Sequence, residues 1–277
     1  MNLKHAAEIS EGKRFEFGAN WSRFLKMLNN ERIDKAAESL KKMLGVDHLQ
    51  GKSFLDAGSG SGLFSLAARR LGAKVYSFDY DPASVACTLE LKRRYFPDDE
   101  AWIVEVGSVL DQDYLQRLGQ FDVVYSWGVL HHTGAMWQAL DNVASLASER
   151  LFVAIYNDQG WISRYWTAVK RLYNGSGLGR VLMIWLHFPY LYALRFLIRK
   201  IAGRPLERGM SLWHDMLDWL GGYPFEVARP EEILDFYLER GLSCVKLKTC
   251  GGRTGCNEFV FLRAGQNKVQ IASTPEH

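Results

Sequence analysis

The stretch Phe54-Leu55-Asp56-Ala57-Gly58-Ser59-Gly60-Ser61-Gly62-Leu63-Phe64 decides the fold of this chain. Its first residues form a short apolar run that predicts a buried strand, and apolar residues recur at helical spacing after the last glycine. A strand, three glycines and a helix in this order predict a tight turn at which a ligand approaches the backbone closely. An ordinary strand-to-helix turn that happens to contain glycines remains the alternative.

Two details separate this turn from the dinucleotide-binding fingerprint. The glycines follow the pattern G-x-G-x-G, and Leu63 stands where the fingerprint G-x-G-x-x-G has its third glycine. Asp56 ends the strand two residues before the first glycine. A carboxylate there would repel a pyrophosphate, but it would bind an amino group directly or through water. The turn is therefore typical of a site for a zwitterion or a cation.

Residues 56–62 resemble motif I of the class I S-adenosylmethionine-dependent methyltransferases, and three later segments resemble that family in the same order. Residues 75–79 resemble its second strand, residues 107–111 the loop that flanks adenine, and residues 121–132 the fourth strand and the loop beside the reacting centre. The resemblance implies S-adenosylmethionine as cofactor. It also implies a Rossmann-like, doubly wound α/β fold with a mostly parallel seven-stranded sheet and a C-terminal antiparallel hairpin.

The resemblance further implies which residues bind the cofactor. Asp79 is the acid expected on the ribose hydroxyls, and its position 21 residues after Gly58 fits the usual spacing; a helix-capping role for Asp79 is the alternative. Tyr80 is expected against the adenine edge, and Ser108 stands where many family members have Asp. The predicted cofactor-binding residues are Asp56, Gly58, Ser59, Gly60, Gly62, Asp79, Tyr80, Ser108, Val109, Ser126 and Leu130.

Composition excludes several other classes of protein. The 277 residues are 48% apolar and 23% charged, and 34 basic against 31 acidic residues give a net charge of +3. This is ordinary for a globular chain and too small a charge to favour nucleic acid as a partner. The four cysteines show no C-x-x-C pairing, which argues against a disulfide framework or a metal site, and the N-terminus lacks the apolar core of a signal peptide. We therefore expect a cytoplasmic protein, monomeric or homodimeric.

Strand and helix patterns alternate five times between residues 51 and 156. We predict strands at 53–57, 74–79, 102–106, 121–126 and 151–156, with helices at 62–71, 82–94, 112–118 and 135–147. Such alternation predicts a parallel sheet whose strands all end at one edge, where a ligand binds. The predicted units are an N-terminal helical lid (1–50, irregular to about 19), the cofactor-binding core (51–156), a helical substrate cap (157–228), the last helix and hairpin (229–265) and a disordered tail (266–277).

The predicted cap is an insertion of about 70 residues after the fifth strand, and it holds five of the nine tryptophans. It must lie over the ligand edge because the fifth strand ends there. Residues 181–194 are almost wholly apolar but too few to cross a membrane. We expect a buried helix that is kinked at Pro189; a surface that touches lipid, with the arginines that follow meeting anionic headgroups, and a subunit interface stay open as alternatives.

Candidate catalytic and substrate-binding residues come from the loop after the fourth strand and from the cap. His131 and His132 are adjacent and so cannot form a helical pair of metal ligands; we expect a structural role or proton transfer, with His132 the better candidate. Residues 208–226 are dense in titratable and aromatic side chains. The predicted catalytic residues are His132, Tyr156, His214, Asp215 and Tyr223, and the predicted substrate-binding residues are Asn157, Asp158 and Trp213.

The chemistry implied by the resemblance is methyl transfer to an oxygen or nitrogen of a small molecule, as in secondary-metabolite or surface-glycan pathways. Residues 126–129 do not resemble the tetrapeptide of enzymes that methylate amino groups of nucleic acids. Two alternatives remain open. One is an enzyme that cyclises the amino acid part of the cofactor and releases methylthioadenosine, and the other is a protein that binds the cofactor without turnover.

Overall fold

A computed structural model describes residues 3–18, 21, 25, 28–194, 196–197 and 212–263. One seven-stranded sheet has the strand order β3-β2-β1-β4-β5-β7-β6, with β1 to β5 parallel and β7 antiparallel to both of its neighbours. The strands are β1 (Ser53–Ala57), β2 (Lys74–Asp79), β3 (Trp102–Val106), β4 (Phe121–Trp127), β5 (Ala147–Tyr156), β6 (Leu242–Lys248) and β7 (Cys256–Arg263). The predicted fold class is confirmed.

Helices cover both faces of the sheet, as right-handed crossovers between parallel strands require. They are α1 (Leu3–Ser10), α2 (Asn30–Leu44), α3 (Leu63–Arg70), α4 (Pro82–Tyr95), α5 (Gln112–Leu118), α6 (Met136–Leu146), α7 (Trp161–Gly175), α8 (Gly177–Phe188), α9 (Leu212–Gly221) and α10 (Pro230–Leu238). A 3₁₀ turn spans Leu130–His132, and a π-helical turn spans Pro189–Leu194.

Two cores lie on opposite faces of the sheet because side chains alternate along a strand. Phe54 of β1 packs in the core beneath α2 and α3, and the next residue, Leu55, packs in the core beneath α6 and α10. Both side chains are fully buried. Burying apolar surface on both faces holds the central strands rigidly, so their carboxyl ends form a fixed edge for a ligand.

The predicted limits of the core elements hold to within a few residues, and one prediction near the N-terminus is wrong. Residues 3–10, expected to be irregular, form α1. That helix is short and places His5 in a buried position against the ring of Tyr80. Tertiary packing rather than helix propensity explains α1, and it left no clear signal in the sequence. The part of the predicted helical lid between residues 19 and 27 falls mostly outside the described residues.

The cap (residues 157–228) packs around a third cluster of apolar side chains. Trp166 and Tyr173 of α7, Met183 of α8 and Leu220 of α9 are buried in it. The prediction of a buried helix at residues 181–194 is wrong, because only one side of α8 faces this cluster and most of the other side is exposed. Within the described residues, no helix has the length and the apolar character to span a bilayer.

Candidate active site

A large cleft opens at the carboxyl edge of β1, β2 and β4, where the sequence predicted it. It encloses about 1110 Å³, beyond the roughly 300–1,000 Å³ of a site for one drug-sized ligand. The glycine turn, Asp56, Asp79, Tyr80, Ser108 and Val109 line one part. Phe15, Phe17, Tyr156, Trp166, Leu191 and Trp219 line another. We call these two parts the acidic end and the aromatic end.

The glycine turn has the backbone that its sequence predicts. Gly58, Gly60 and Gly62 all have positive φ, at 88°, 53° and 78°. A Cβ on Gly58 would lie 2.4 Å from a methyl carbon of Val129, and one on Gly62 would lie 2.9 Å from Thr88. Gly58 and Gly60 line the cleft, whereas Gly62 begins α3. The turn thus needs glycine both for its conformation and for the close approach of its neighbours.

Asp56 is held by a chain of buried hydrogen bonds. Ser65 Oγ donates to Asp56 Oδ2 at 2.5 Å, Ser77 Oγ donates to Ser65 at 2.8 Å, and the Trp102 indole donates to Ser77 at 2.9 Å. The chain begins in the core and ends in the cleft. Burial raises the pKa of Asp56 to about 7, although the Ser65 bond opposes the rise and nearby Asp79 adds to it.

Asp79 ends β2 and accepts two backbone hydrogen bonds. The amide of Gly60 donates to Oδ2 and that of Asp81 donates to Oδ1, both at 2.9 Å. These bonds fix the carboxylate beside the glycine turn. Burial raises the pKa of Asp79 to about 6, and the two amides oppose that rise. The alternative role for Asp79, capping α4, belongs instead to Asp81, which accepts from the Ala83 amide at 2.8 Å.

Residues 14–18, which we call the N-terminal segment, cross the cleft and join the cap to the core. Its amides donate from Phe15 to the Tyr223 carbonyl at 3.0 Å and from Gly18 to Asp81 at 2.7 Å. Arg14 donates to the carbonyl of His132 at 3.0 Å, and its guanidinium lies 4.8 Å from the centre of the Tyr80 ring. These contacts cover Tyr80 and leave it lining the acidic end of the cleft.

His132 has a defined tautomer. Its Nδ1 lies 2.6 Å from the Pro224 carbonyl oxygen, and because a carbonyl only accepts, Nδ1 carries the proton. In the neutral ring Nε2 therefore keeps a lone pair, as a base requires. Burial lowers the pKa of His132 to about 3, so the ring is neutral at pH 7. His132 lines the cleft.

His131 lies behind His132 and does not line the cleft. Its Nδ1 accepts from the Tyr156 amide at 3.3 Å, and its ring centre is 4.0 Å from that of Tyr156. Burial lowers the pKa of His131 well below its ordinary value. Of the two adjacent histidines, the structure assigns the packing role to His131 and brings His132 to the site.

The aromatic end is built by the cap. Trp219 meets Tyr156 and Trp166 edge-on, with ring centres 5.9 and 5.3 Å away. Ile162 and Gln159 complete this wall, and the Gln159 amide also bonds to Gly252 and Thr254 of the hairpin loop. An apolar wall with few polar groups excludes water and suits the body of an apolar acceptor.

Several predicted site residues lie away from the cleft. Ser126 is fully buried and donates to the carbonyl of Ala57, and Leu130 packs in the core. Asn157 bonds to Asn257, and Asp158 to the amide of Gly160. The predicted contacts of these four residues are not supported. Ser126 and Leu130 are buried in β4 and in the turn that follows it, and the side chains of Asn157 and Asp158 make local hydrogen bonds after β5, where Gln159 lines the cleft in their place.

The predicted site residues in the second half of the cap have different positions relative to the cleft. Trp213 is 38% exposed and packs edge-on against Phe188 and Tyr192, outside the cleft lining. Tyr223 contributes its carbonyl to the N-terminal segment, while Gly222 lines the cleft. The predicted roles of Trp213 and Tyr223 are therefore not supported. His214 and Asp215 lie in α9, but their side chains are outside the described part of the structure.

Two charged residues that the sequence did not single out shape the site. Arg14 lines the cleft and is 17% exposed at its side chain, paired with Glu8 at 2.8 Å. Glu226 accepts from the amides of Gly134 and Met136 at 2.9 and 3.1 Å, which fixes the loop that follows His132. The contact of Arg14 with the His132 carbonyl and that of Glu226 with the Met136 amide join residues 118 and 90 positions apart, so no local pattern revealed them.

Comparison with known proteins bears directly on this site. Residues 55–150 match the family described as "Methyltransferase domain". The chain is 41% identical over 71 residues to the ribosomal protein L11 methyltransferase of Methylococcus capsulatus, a match that covers 25% of this chain and 24% of that protein. The protein of the same name from Xanthomonas campestris is also 41% identical over 71 residues. The chain thus spans about a quarter of the length of these curated relatives.

Two solved structures share the fold across most of this chain. One is magnesium protoporphyrin IX methyltransferase from Synechocystis with bound SAH, at 16% identity and a TM-score of 0.53, covering 89% of this chain and 94% of that one. The other is PKMT2 from Rickettsia typhi in complex with AdoHcy, at 13% identity and a TM-score of 0.52, covering 83% and 52%. Residues 55–150 thus match a methyltransferase domain, and most of the chain shares the fold of these two solved structures.

Proposed function

We propose that this protein transfers the methyl group of S-adenosylmethionine to an oxygen or nitrogen of a small molecule with an apolar body. The observation that carries the proposal is the cleft itself. One continuous volume of about 1110 Å³ joins the carboxylates of Asp56 and Asp79 and a glycine turn to an aromatic wall. That volume has room for a nucleotide-sized cofactor and a second ligand beside it.

The residues of the acidic end fit the cofactor. Asp56 suits its amino group, Asp79 suits the ribose hydroxyls, and the amides of the glycine turn allow close approach. Tyr80 and Val109 would flank the adenine. Because burial raises the pKa of both carboxyls, a ligand that brings positive charge to Asp56 and hydroxyl donors to Asp79 favours their ionised forms. When bound, the cofactor supplies a methyl group that is already electrophilic.

The chain's own contribution is alignment and proton acceptance. Alignment of two reactants accounts for as much as about 7–11 kcal/mol of a barrier in favourable cases. His132 is our candidate base, because its Nε2 keeps a lone pair and its ring is neutral at pH 7. Tyr156 packs edge-on to the His132 ring, with ring centres 5.6 Å apart, and we expect this contact to hold the ring in place.

A small acceptor is favoured over a protein acceptor by what covers the cleft. The N-terminal segment and the cap both cross it, and they are joined by the Phe15–Tyr223 hydrogen bond and by packing of Phe15 against Gly221. A protein side chain presented on a folded surface would need an open groove there. We keep the lid, core, cap and hairpin boundaries as predictions, together with a cytoplasmic location and a monomeric or homodimeric state.

Isothermal titration with S-adenosylmethionine, followed by a product search in metabolite extract with methyl-labelled cofactor, tests the proposal. We expect binding, release of S-adenosylhomocysteine and one labelled small molecule. Asp79→Asn should weaken binding, whereas Asp235→Asn, an exposed acid on α10, should not. Methylthioadenosine as product would indicate cyclisation, binding without any product would indicate a binding protein, and label in protein would contradict a small acceptor.

A further inference from the structure

The cap exposes an apolar helix face to solvent. Leu178, Val181, Leu182, Trp185 and Leu186 of α8 are between 52% and 81% exposed. Their spacing, i, i+3, i+4, i+7 and i+8, places them on a single face. Met183 and His187, on the other side of the helix, are buried against the cap. A helix that is apolar on its exposed side needs an apolar partner on that side.

This surface lies in a stretch of the chain that carries only positive charge. Residues 159–206 contain eight lysines and arginines and no aspartate or glutamate. Arg164, Arg171 and Arg180 are exposed on the two helices of the apolar surface. A second copy of the chain is therefore a poor occupant, because a twofold interface would bring the same basic segments face to face. An anionic partner complements both the charge and the apolar face.

We propose that α7 and α8 dock this protein on an anionic lipid bilayer, with α8 in the plane of the interface. An apolar face with cations at its margins is the pattern of interfacial helices. Trp161, Trp185 and Tyr190 are 75%, 73% and 61% exposed, and aromatic rings of this kind settle at headgroup depth. At 12 residues α8 is too short to span a bilayer, which leaves binding at the surface.

The exposed surface of α7 and α8 continues into the cleft, and this continuity indicates the class of substrate. Ile162 and Trp166 of α7 line the cleft, as do Tyr190 and Leu191 of the turn that follows α8. Tyr190 is both a lining residue and an exposed one, so it lies at the mouth. The acceptor is accordingly an amphiphile that enters the aromatic end from the membrane, a conclusion that rests on the proposed function.

Vesicle co-sedimentation of the full chain tests the docking. Wild type should sediment with vesicles of phosphatidylcholine and phosphatidylglycerol, and far less with phosphatidylcholine alone. The double variant Leu182→Ser/Trp185→Ser should bind at least about tenfold more weakly. Each of Arg164→Gln and Arg171→Gln should cost about fivefold at low salt. Leu238→Ser and Arg117→Gln, exposed residues outside the cap, are the matched controls and should bind as wild type.

Other outcomes would overturn the proposal. Equal sedimentation with both vesicle types would exclude charge recognition. No sedimentation, with dimers in sedimentation velocity that the Leu182/Trp185 variant loses, would assign the face to a second copy. Cofactor titration on the same samples distinguishes a failure of the docking proposal from a failure of the proposed function. A protein that binds the cofactor and methylates a water-soluble acceptor but ignores vesicles refutes only the docking, whereas one that binds vesicles without methyl transfer refutes the proposed function.

Discussion

Replacing Asp56 by Asn should change the free energy of unfolding relative to wild type, and the change should favour the variant more at pH 8 than at pH 5. Asp56 is 2% exposed, and burial raises its pKa from 3.8 to about 7. Between these values the folded protein holds a proton on Asp56 that the unfolded chain has released. The folded state therefore binds more protons in this window, and the free energy of unfolding falls as the pH rises through it.

The size of the effect follows from the two pKa values. At pH 5 the folded side chain is almost wholly protonated and carries nearly no electrostatic cost, while at pH 8 it is ionised in a buried site. Integrating the proton difference between these pH values gives about 3 kcal/mol. Asn has the same shape and stays neutral, and its carbonyl oxygen can still accept from Ser65. The difference in the free energy of unfolding between variant and wild type should thus increase by about 3 kcal/mol, in favour of the variant, from pH 5 to pH 8.

Urea denaturation of both proteins without cofactor at the two pH values measures this gap. The comparison with wild type is essential, because His131 and His132 act in the opposite sense. Burial lowers the pKa of each, so the unfolded chain gains protons below about pH 6.5 and wild type loses stability there. Asp235→Asn, on the surface, controls for loss of a charge. A gap that stays constant with pH would refute a raised pKa for Asp56.

Three further predictions concern the cleft. His132→Gln should lower turnover about 100-fold without changing cofactor affinity, and His48→Gln is the exposed control. Because the pKa of His132 is about 3, its ionisation should not change the rate between pH 5 and pH 8. Gly58→Ala should destabilise the fold and abolish cofactor binding, whereas Gly45→Ala, in the left-handed region and with open space around it, should cost only about 1–2 kcal/mol in urea denaturation. Cofactor binding near pH 6.5 should release protons from Asp56 and Asp79, detectable as a binding enthalpy that varies with the ionisation enthalpy of the buffer.

The sequence predicted the parts of the site that depend on local patterns. β1, β2 and β3 begin and end at the predicted residues, because each is a short apolar run between glycines or polar turns. Asp56 and Asp79 follow directly, since the carboxyl ends of parallel strands share an edge. The same reasoning brought Ser108 and Tyr80 into the cleft.

What the sequence could not predict depends on contacts between distant segments or on which side of an element faces the solvent. Ser126 ends a strand at the correct edge, but its side chain points to the Ala57 carbonyl, and period-two alternation fixes only the face. The apolar run of residues 181–194 fits a buried helix and an exposed one equally well, because periodicity does not say what packs against a helix. Arg14 reaches His132 across 118 residues, a distance that no motif spans.

The site is where the chain departs most from what folding alone favours. Burial raises the pKa of both Asp56 and Asp79, and nearby Asp79 adds to the rise at Asp56; the glycine turn holds three residues at positive φ, and His132 is kept neutral by burial. Each of these features costs stability in the isolated chain, and none of them contributes to either core of the sheet. A cation beside the carboxyls would stabilise their ionised forms, and a ligand against the glycine turn could approach the backbone closely at Gly58 and Gly60. A ligand that carries a positive charge and also fits closely against the glycine turn would therefore offset the loss of stability at the acidic end.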